Sequence, residues 1–225
     1  MNNIELLKEV NKFTGFNIKS FKDVTMLEKE TDYFWNKHPG DLSKYESFHY
    51  LYIALNCYKK YSRNSVKRLS EALPKKEIKS ILDFGAGLGL TSLQLAEEYP
   101  NAKVSYYNYP GSLQDRFFLS IKDDKVEYLK KLTGEYDVIF CSELFEHIEK
   151  PIDLLKKLML RCKKYFCVSN AFGTKSYGHY DAYIVDDHVV KPRKTSKIFN
   201  ETMREQFKDS KIRSWNGRPR LFKRI

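Results

Sequence analysis

An α/β fold, a doubly wound parallel sheet behind a helical N-terminal segment, is the class this sequence predicts, and three observations predict it. Residues 81–89, Ile-Leu-Asp-Phe-Gly-Ala-Gly-Leu-Gly, read as an apolar strand ending on an acidic residue, then a glycine turn, then the start of a helix. From residue 79 onward short apolar strand patterns alternate with helical ones, the order that a parallel sheet covered on both faces requires. Before residue 79 the patterns are helical only, which divides the chain into a helical extension, residues 1–78, and an α/β domain, residues 79–225.

Taken in order, Ile4, Leu7 and Val10 are spaced to share one helical face, and a longer helical pattern covers residues 45–73. Between them residues 31–44, with Trp35, His38, Pro39 and Gly40, read as an irregular segment whose aromatics pack. The first strand is expected at 79–84, a helix at 90–99, and a second strand at 102–108, entered through Pro100-Asn101. A helix at 112–119, a short third strand at 120–124 and a helix at 126–132 come next, then a fourth strand at 136–141. Pro151 suits the first turn of a helix running to about residue 164, in which Ile152, Leu155, Leu158 and Cys162 share a buried face. A fifth strand follows at 165–169, then a long loop at 170–192 and a helix at 196–207. Two closing strands, 211–215 and 220–225, flank the turn signal Asn216-Gly217.

Composition narrows the function classes. A chain of 225 residues, 42% apolar, builds one well-developed core. No apolar run approaches the roughly 20 residues of a membrane-spanning helix. The start, Met1-Asn2-Asn3-Ile4-Glu5, has no basic segment followed by an apolar run, so cytoplasmic placement is expected. Cys57, Cys141, Cys162 and Cys167 lack C-x-x-C spacing and read as reduced thiols. The net charge of +11 attracts polyphosphate, yet the cations are spread along the chain, with modest concentrations at 59–68, 156–164 and 213–224. A solvated face is the simpler reading, and RNA stands as the alternative partner.

The glycine loop carries the chemistry. Glycines at 85, 87 and 89 accept backbone angles closed to other residues, and a missing side chain lets a ligand approach the main chain. Free N–H groups at the start of the following helix face that ligand. Asp83, where the loop begins, can accept hydrogen bonds from loop amides or meet a cation.

Residues 83–89, together with residues 136–147, Tyr-Asp-Val-Ile-Phe-Cys-Ser-Glu-Leu-Phe-Glu-His, resemble the cofactor motif and the fourth-strand motif of class I S-adenosylmethionine-dependent methyltransferases. The resemblance is clear over residues 79–170. It implies a Rossmann-like seven-stranded sheet, mostly parallel, with one antiparallel strand near the C-terminus, and S-adenosylmethionine as cofactor. It also implies that Asp83, Gly85, Gly87 and Gly89 hold the cofactor together with Ser142 and Glu143, and that Asp123 or Asp124 contacts the adenine amino group. Asn108 stands where the family usually has Asp or Glu gripping both ribose hydroxyls, and an amide offers one acceptor there without the charge.

Glu143, Glu146 and His147, at i, i+3 and i+4, would project to one side of a helical turn. His147 is the expected general base, because an unperturbed imidazole titrates near pH 6.5, with Glu146 orienting it. The E-x-x-E-H element is similar to one with which small-RNA 2′-O-methyltransferases and ubiquinone-pathway O-methyltransferases hold a divalent ion. Metal-free relatives carry the same letters, so a divalent metal, with Glu146 holding it instead of orienting His147, is the less favoured alternative here. Asn170, His179, Tyr180, Asp186, Asp187 and His188 lie in the following loop, at the carboxyl ends of the strands, where ligands bind in this fold. The expected function is methyl transfer to oxygen or nitrogen of a small-molecule or sugar-containing acceptor. RNA methylation and, given Asn108, a noncatalytic binding protein on the same scaffold are the alternatives.

Overall fold

The structure, a computed structural model, describes residues 2–38, 41–213 and 220–225, with side chains at all of these except 42, 44 and 211–213. The expected turn at Asn216-Gly217 and the irregular pair Pro39-Gly40 lie outside the described residues.

Seven strands form one sheet. They are β1 (Ser80–Phe84), β2 (Lys103–Tyr107), β3 (Val126–Tyr128), β4 (Tyr136–Ser142), β5 (Cys162–Ser169), β8 (Phe207–Arg213) and β9 (Arg220–Arg224), in the order β3-β2-β1-β4-β5-β9-β8. β1 to β5 pair in parallel, and β9 runs antiparallel to both β5 and β8, as the resemblance implies. The central strands are apolar throughout because both faces are covered. Leu82, Ile139 and Phe166 point into one core with α7 (Pro151–Met159) and α8 (Pro192–Arg204); Ile81, Val138 and Phe140 point into the other with α5 (Leu90–Glu98). A third core joins α5 and α6 (Leu113–Ile121) to the N-terminal helices through Val10, Leu51, Leu55, Leu90 and Phe117.

The N-terminal helices are α1 (Asn3–Thr14), α2 (Phe21–Lys37), α3 (Phe48–Cys57) and α4 (Arg63–Ala72). Leu6, Leu7 and Val10 form the buried face of α1, while Ile4 is exposed. Capping boxes at Asn2/Glu5 and Ser20/Asp23 start α1 and α2. The segment expected to be irregular is helical as far as Lys37, since Val24, Thr31 and Trp35 repeat on one buried face. The single helix expected at 45–73 is instead a 3₁₀ turn (Leu42–Glu46), α3, a π-helical turn (Tyr58–Ser62) and α4.

Three further expectations are corrected. β3 lies at Val126–Tyr128, pairing Val104 with Val126, because α6 extends through Ile121; no helix occupies 126–132. α7 stops at Met159 and β5 begins at Cys162, whose pairing with Tyr136 outweighs helical spacing. The loop after β5 contains a hairpin, β6 (Tyr183–Val185) and β7 (His188–Val190), turned by Asp186 and Asp187 at φ of 47° and 60°, as in a type I′ turn. All four cysteines are free.

At the start of β4, buried Asp137 accepts from the Lys79 backbone N–H at 2.7 Å and faces the ammonium groups of Lys164 (3.3 Å) and Lys163 (3.7 Å). Burial alone would raise its carboxyl; the backbone bond and the two lysines outweigh it and hold the group below the ordinary aspartate value. A carboxylate lowered on folding contributes stability above its unfolded pKa, which is lost as pH falls through the folded value. Asp137→Ala is expected to lower the urea-measured unfolding free energy at pH 7 by roughly 1–3 kcal/mol. The gap between wild type and variant should close as the pH drops below about 4.

Candidate active site

A cavity of about 320 Å³ lies at the carboxyl ends of β1, β4 and β5, the end where α/β sheets bind ligands. Its floor is Asp83, Gly85, Gly87, Ser142, Glu143 and Ser169; Glu28 of α2 with Tyr50, Cys57 and Ser62 of the α3–α4 segment close it from one side, and His147, Tyr177 and His179 from another. Ser62 and Ser142 hydroxyls meet at 3.0 Å across the join. The Tyr177 backbone N–H donates to Asp32 at 2.8 Å, and the Trp35 ring packs on Tyr177 at 5.3 Å, so α2 is fastened to the loop after β5.

The glycine turn is positioned from β2. The Tyr107 carbonyl accepts from the Gly85 and Ala86 N–H groups at 2.9 and 3.2 Å, and the Tyr106 hydroxyl donates to the Gly87 carbonyl at 3.0 Å. Gly87, at φ 53°, has open space where a Cβ would stand, while a Cβ on Gly85 would press on the Leu144 side chain at 2.7 Å. Gly89 does not face the cavity. A Cβ there would overlap the Phe118 ring, so this glycine serves the packing of α6 against the turn. Asp83 is buried and accepts from the Ser92 hydroxyl at 2.6 Å rather than from loop amides. Burial raises its carboxyl to about 7, with Ser92 opposing.

Two expected cofactor contacts are not among the residues that line the cavity. Asn108 follows β2, but its amide donates to Ser112 at 3.3 Å, within the cap of α6. Asp124 is exposed in the turn before β3, because that strand starts later than its sequence pattern indicated.

Glu143, Glu146 and His147 do come together, though not on a regular helix. Glu143 sits at φ 50°, a left-handed conformation that costs a non-glycine residue roughly 1–3 kcal/mol. Its N–H donates to the Ser169 carbonyl (2.7 Å) and its carboxylate accepts from the Ser169 hydroxyl (2.9 Å). Phe145–His147 then form a 3₁₀ turn, held from the β6–β7 side by the Tyr183 hydroxyl on the Glu146 carbonyl at 3.2 Å. The Glu146 side chain is fully buried behind the cavity wall; Oε1 accepts from the Ala171 N–H at 2.9 Å, and Oε2 has no hydrogen-bond partner among the described residues. Burial and the neighbouring Glu143 raise its carboxyl well above the ordinary glutamate value. His147 Nδ1 meets the Tyr45 hydroxyl at 2.8 Å; burial and then His179 push the imidazole down to about 3, so the ring is neutral at physiological pH but a weaker base than the ordinary imidazole near 6.5 on which its expected role rested.

Of the loop residues, His179 lines the cavity, whereas Asp186, Asp187 and His188 are exposed at the hairpin. One donor atom each from Glu146, His147 and His179 lies within 4.8 Å of the others. A carboxylate with two imidazoles fits a divalent ion, with His179 in the place that the E-x-x-E-H spacing gave to Glu143. Tyr45, Tyr50, Ser62, Ser169 and Tyr177 were not anticipated. The tyrosine-rich run over residues 45–61 was the available signal for the first two.

A sheet of this order, reversed only at β9 among its described strands, with its pocket between the glycine turn and the end of β4, defines a class I methyltransferase. The methyltransferase domain family matches residues 57–170, just over half of the chain, and the chain belongs to that family, whose methyl donor is S-adenosylmethionine. It is an S-adenosylmethionine-dependent methyltransferase. Its fold is similar to that of an O-methyltransferase family protein from Burkholderia thailandensis (TM-score 0.60, 12% identity, 88% of this chain and 71% of that one). It is also similar to the mitomycin 7-O-methyltransferase MmcR (0.55, 8%, 100% and 74%) and to human N-acetylserotonin methyltransferase, solved with its cofactor (0.58, 12%, 91% and 66%). No curated protein matches the sequence. Among the described residues no helix is long and apolar enough to cross a membrane.

Two outcomes are expected. Gly89→Ala combines left-handed strain with overpacking against Phe118 and should cost roughly 2–4 kcal/mol of unfolding free energy, against about 1 kcal/mol for Gly87→Ala, which has room for its methyl. For Asp83, the folded value of about 7 exceeds the ordinary 3.8, so the folded state holds an extra proton between them. That contribution is full below pH 4 and is lost as pH rises through 7. Urea titrations should therefore show wild-type stability falling between pH 4 and 7, with a flatter profile for Asp83→Asn.

Proposed function

We propose that the enzyme methylates oxygen or nitrogen of a small, non-anionic acceptor held in the cavity beside Glu143, His147 and His179. The observation that carries this reading is a contrast of charge. The chain has a net charge of +11, yet no lysine or arginine is in the described lining of the cavity, which contains Asp83, Glu143 and Glu28, the last paired with Lys60 at 2.9 Å behind it. A phosphorylated acceptor or a nucleic-acid strand would need cations along its path. The acceptors named for two fold neighbours, mitomycin and N-acetylserotonin, are small molecules.

Bound S-adenosylmethionine supplies an electrophilic methyl group on a sulfonium centre. In our reading Asp83 binds the ammonium of the cofactor's amino-acid part, Gly85 and Gly87 give its approach to the main chain, and Ser142 and Glu143 flank it. His147, neutral at working pH, takes the proton of an acceptor hydroxyl as the new carbon–oxygen bond forms. The enclosing tyrosines hold the acceptor in line and exclude water, which supplies most of what a displacement of this kind needs. As the alternative to that proton transfer, Glu146, His147 and His179 would hold a divalent ion, which would supply Lewis-acid activation of the same hydroxyl.

Calorimetric titration with S-adenosylhomocysteine tests the cofactor half. Saturable one-site binding is expected. It should release a proton near pH 7, as the ligand's ammonium draws Asp83 to its charged form, and the release should vanish in Asp83→Asn. No binding at millimolar ligand overturns the reading. For the acceptor half, neutral hydroxy and amino compounds should be methylated in a labelled-cofactor screen. Tight RNA binding that falls steeply with salt would move the assignment to nucleic acid.

A further inference from the structure

The amino-acid part of S-adenosylmethionine carries an ammonium and a carboxylate on one carbon. Asp83 suits the first. For the second, no lysine or arginine lines the cavity among the described residues, so the anion has to be met by neutral donors, hydroxyl or amide. Several lining serines have already given their proton away. Ser65 donates to the Tyr61 carbonyl at 3.0 Å and Ser169 to the Glu143 carboxylate at 2.9 Å. Ser62 and Ser142 differ, because their hydroxyls bond to each other at 3.0 Å. Two hydroxyls hold two protons and one mutual bond uses one of them. At least one proton is left for a ligand, and turning the mutual one outward supplies a second.

The two serines reach this place from opposite walls. Ser142 ends β4; the register sets Asp83 beside Phe140, and two residues further along the two strands come Gly85 and Ser142, so Ser142 leaves the sheet beside the glycine turn. Ser62 faces the cavity because of the π-helical turn Tyr58–Ser62, which has helical backbone on both sides, at Cys57 and Arg63. Along an unbroken α-helix residue 62 would stand roughly a third of a turn away from Tyr50, which also lines the cavity. A π turn takes up an extra residue, and this rotates Ser62 back by about 100° onto the line of Tyr50. Turns of this kind recur at functional sites.

We propose that Ser62 and Ser142 clasp the carboxylate of S-adenosylmethionine, each hydroxyl donating to one of its oxygens. Two donors 3.0 Å apart match a group that carries both oxygens on one carbon. This rests on the reading of the cavity as the cofactor site with Asp83 on the ammonium. The helical part of the chain then supplies a cofactor-binding residue as well as a wall, and the bound carboxylate bridges the two walls that the hydroxyl pair joins.

The test compares two ligands on the full chain by calorimetric titration: S-adenosylhomocysteine, and its decarboxylated analogue, which keeps the ammonium and lacks the carboxylate. Wild type should bind the first more tightly. Ser62→Ala should weaken S-adenosylhomocysteine by about 10-fold and leave the analogue unchanged, and Ser142→Ala should show the same selective loss. Ser62→Cys, which keeps the shape but donates weakly, carries the same comparison if the alanine variant does not fold. Equal weakening of both ligands overturns the proposal, since Ser62 would then serve the wall rather than the carboxylate. Unchanged affinity for S-adenosylhomocysteine in a folded Ser62→Ala also overturns it, and in either case a wild type that binds leaves the cofactor reading standing. A wild type that binds neither ligand fails the cofactor reading, and this proposal with it.

Discussion

The Tyr107 carbonyl at the end of β2, by accepting from two consecutive amides of the glycine turn, is the constraint on which the rest of the site depends. It pins the exit of β1, and with the Tyr106 hydroxyl on Gly87 it sets where α5 begins. β1 in turn pairs with β4 in register, Asp83 against Phe140, so the turn and the Ser142–Glu143 segment open onto one cavity. A parallel sheet has little freedom here, because each strand's register is fixed by its neighbour on both sides and by apolar cores on both faces.

Asp83 and Glu146 are held by hydrogen bonds rather than by counter-charge, whereas Glu28 in the cavity lining pairs with Lys60 at 2.9 Å. Asp83 has a serine hydroxyl, Glu143 a serine hydroxyl and a strained backbone, and Glu146 one amide. Cations that meet acidic groups elsewhere, such as Lys163 and Lys164 at Asp137, lie at the opposite end of the strands. Uncompensated acidic groups lose their charge when buried or wait for a cation, and a sulfonium cofactor with an ammonium tail is such a cation. The same logic leaves the basic surface to solvent.

The strand–helix alternation and the two motifs were legible because central strands are unbroken apolar runs and because glycine at 85 and 87 has a backbone reason to be there. What failed was local and short. β3 has three residues, too few for a period, and its true position moved Asp124 away from the place its pattern assigned. Gly89 carried the same letter as Gly87 but answers to Phe118, a partner 29 positions on. Glu143 at positive φ broke the helical spacing that had aligned it with His147. Tyr45, Tyr177 and Gly178 come from distant segments, and no periodicity links them.

Order of synthesis adds a consequence of those long-range contacts. Asp32 is held by Tyr177, 145 residues later, and Tyr45 by His147, 102 residues later; β9, near the end of the chain, lies between β5 and β8 in the finished sheet. A growing chain leaving the ribosome can form α1 to α4 early, yet it lacks one wall of the pocket until residues 177–179 emerge. Contacts of such sequence separation form late and slowly. The helices that close the cavity therefore wait for most of the molecule to be made, and the cavity is among the last parts of this protein to exist.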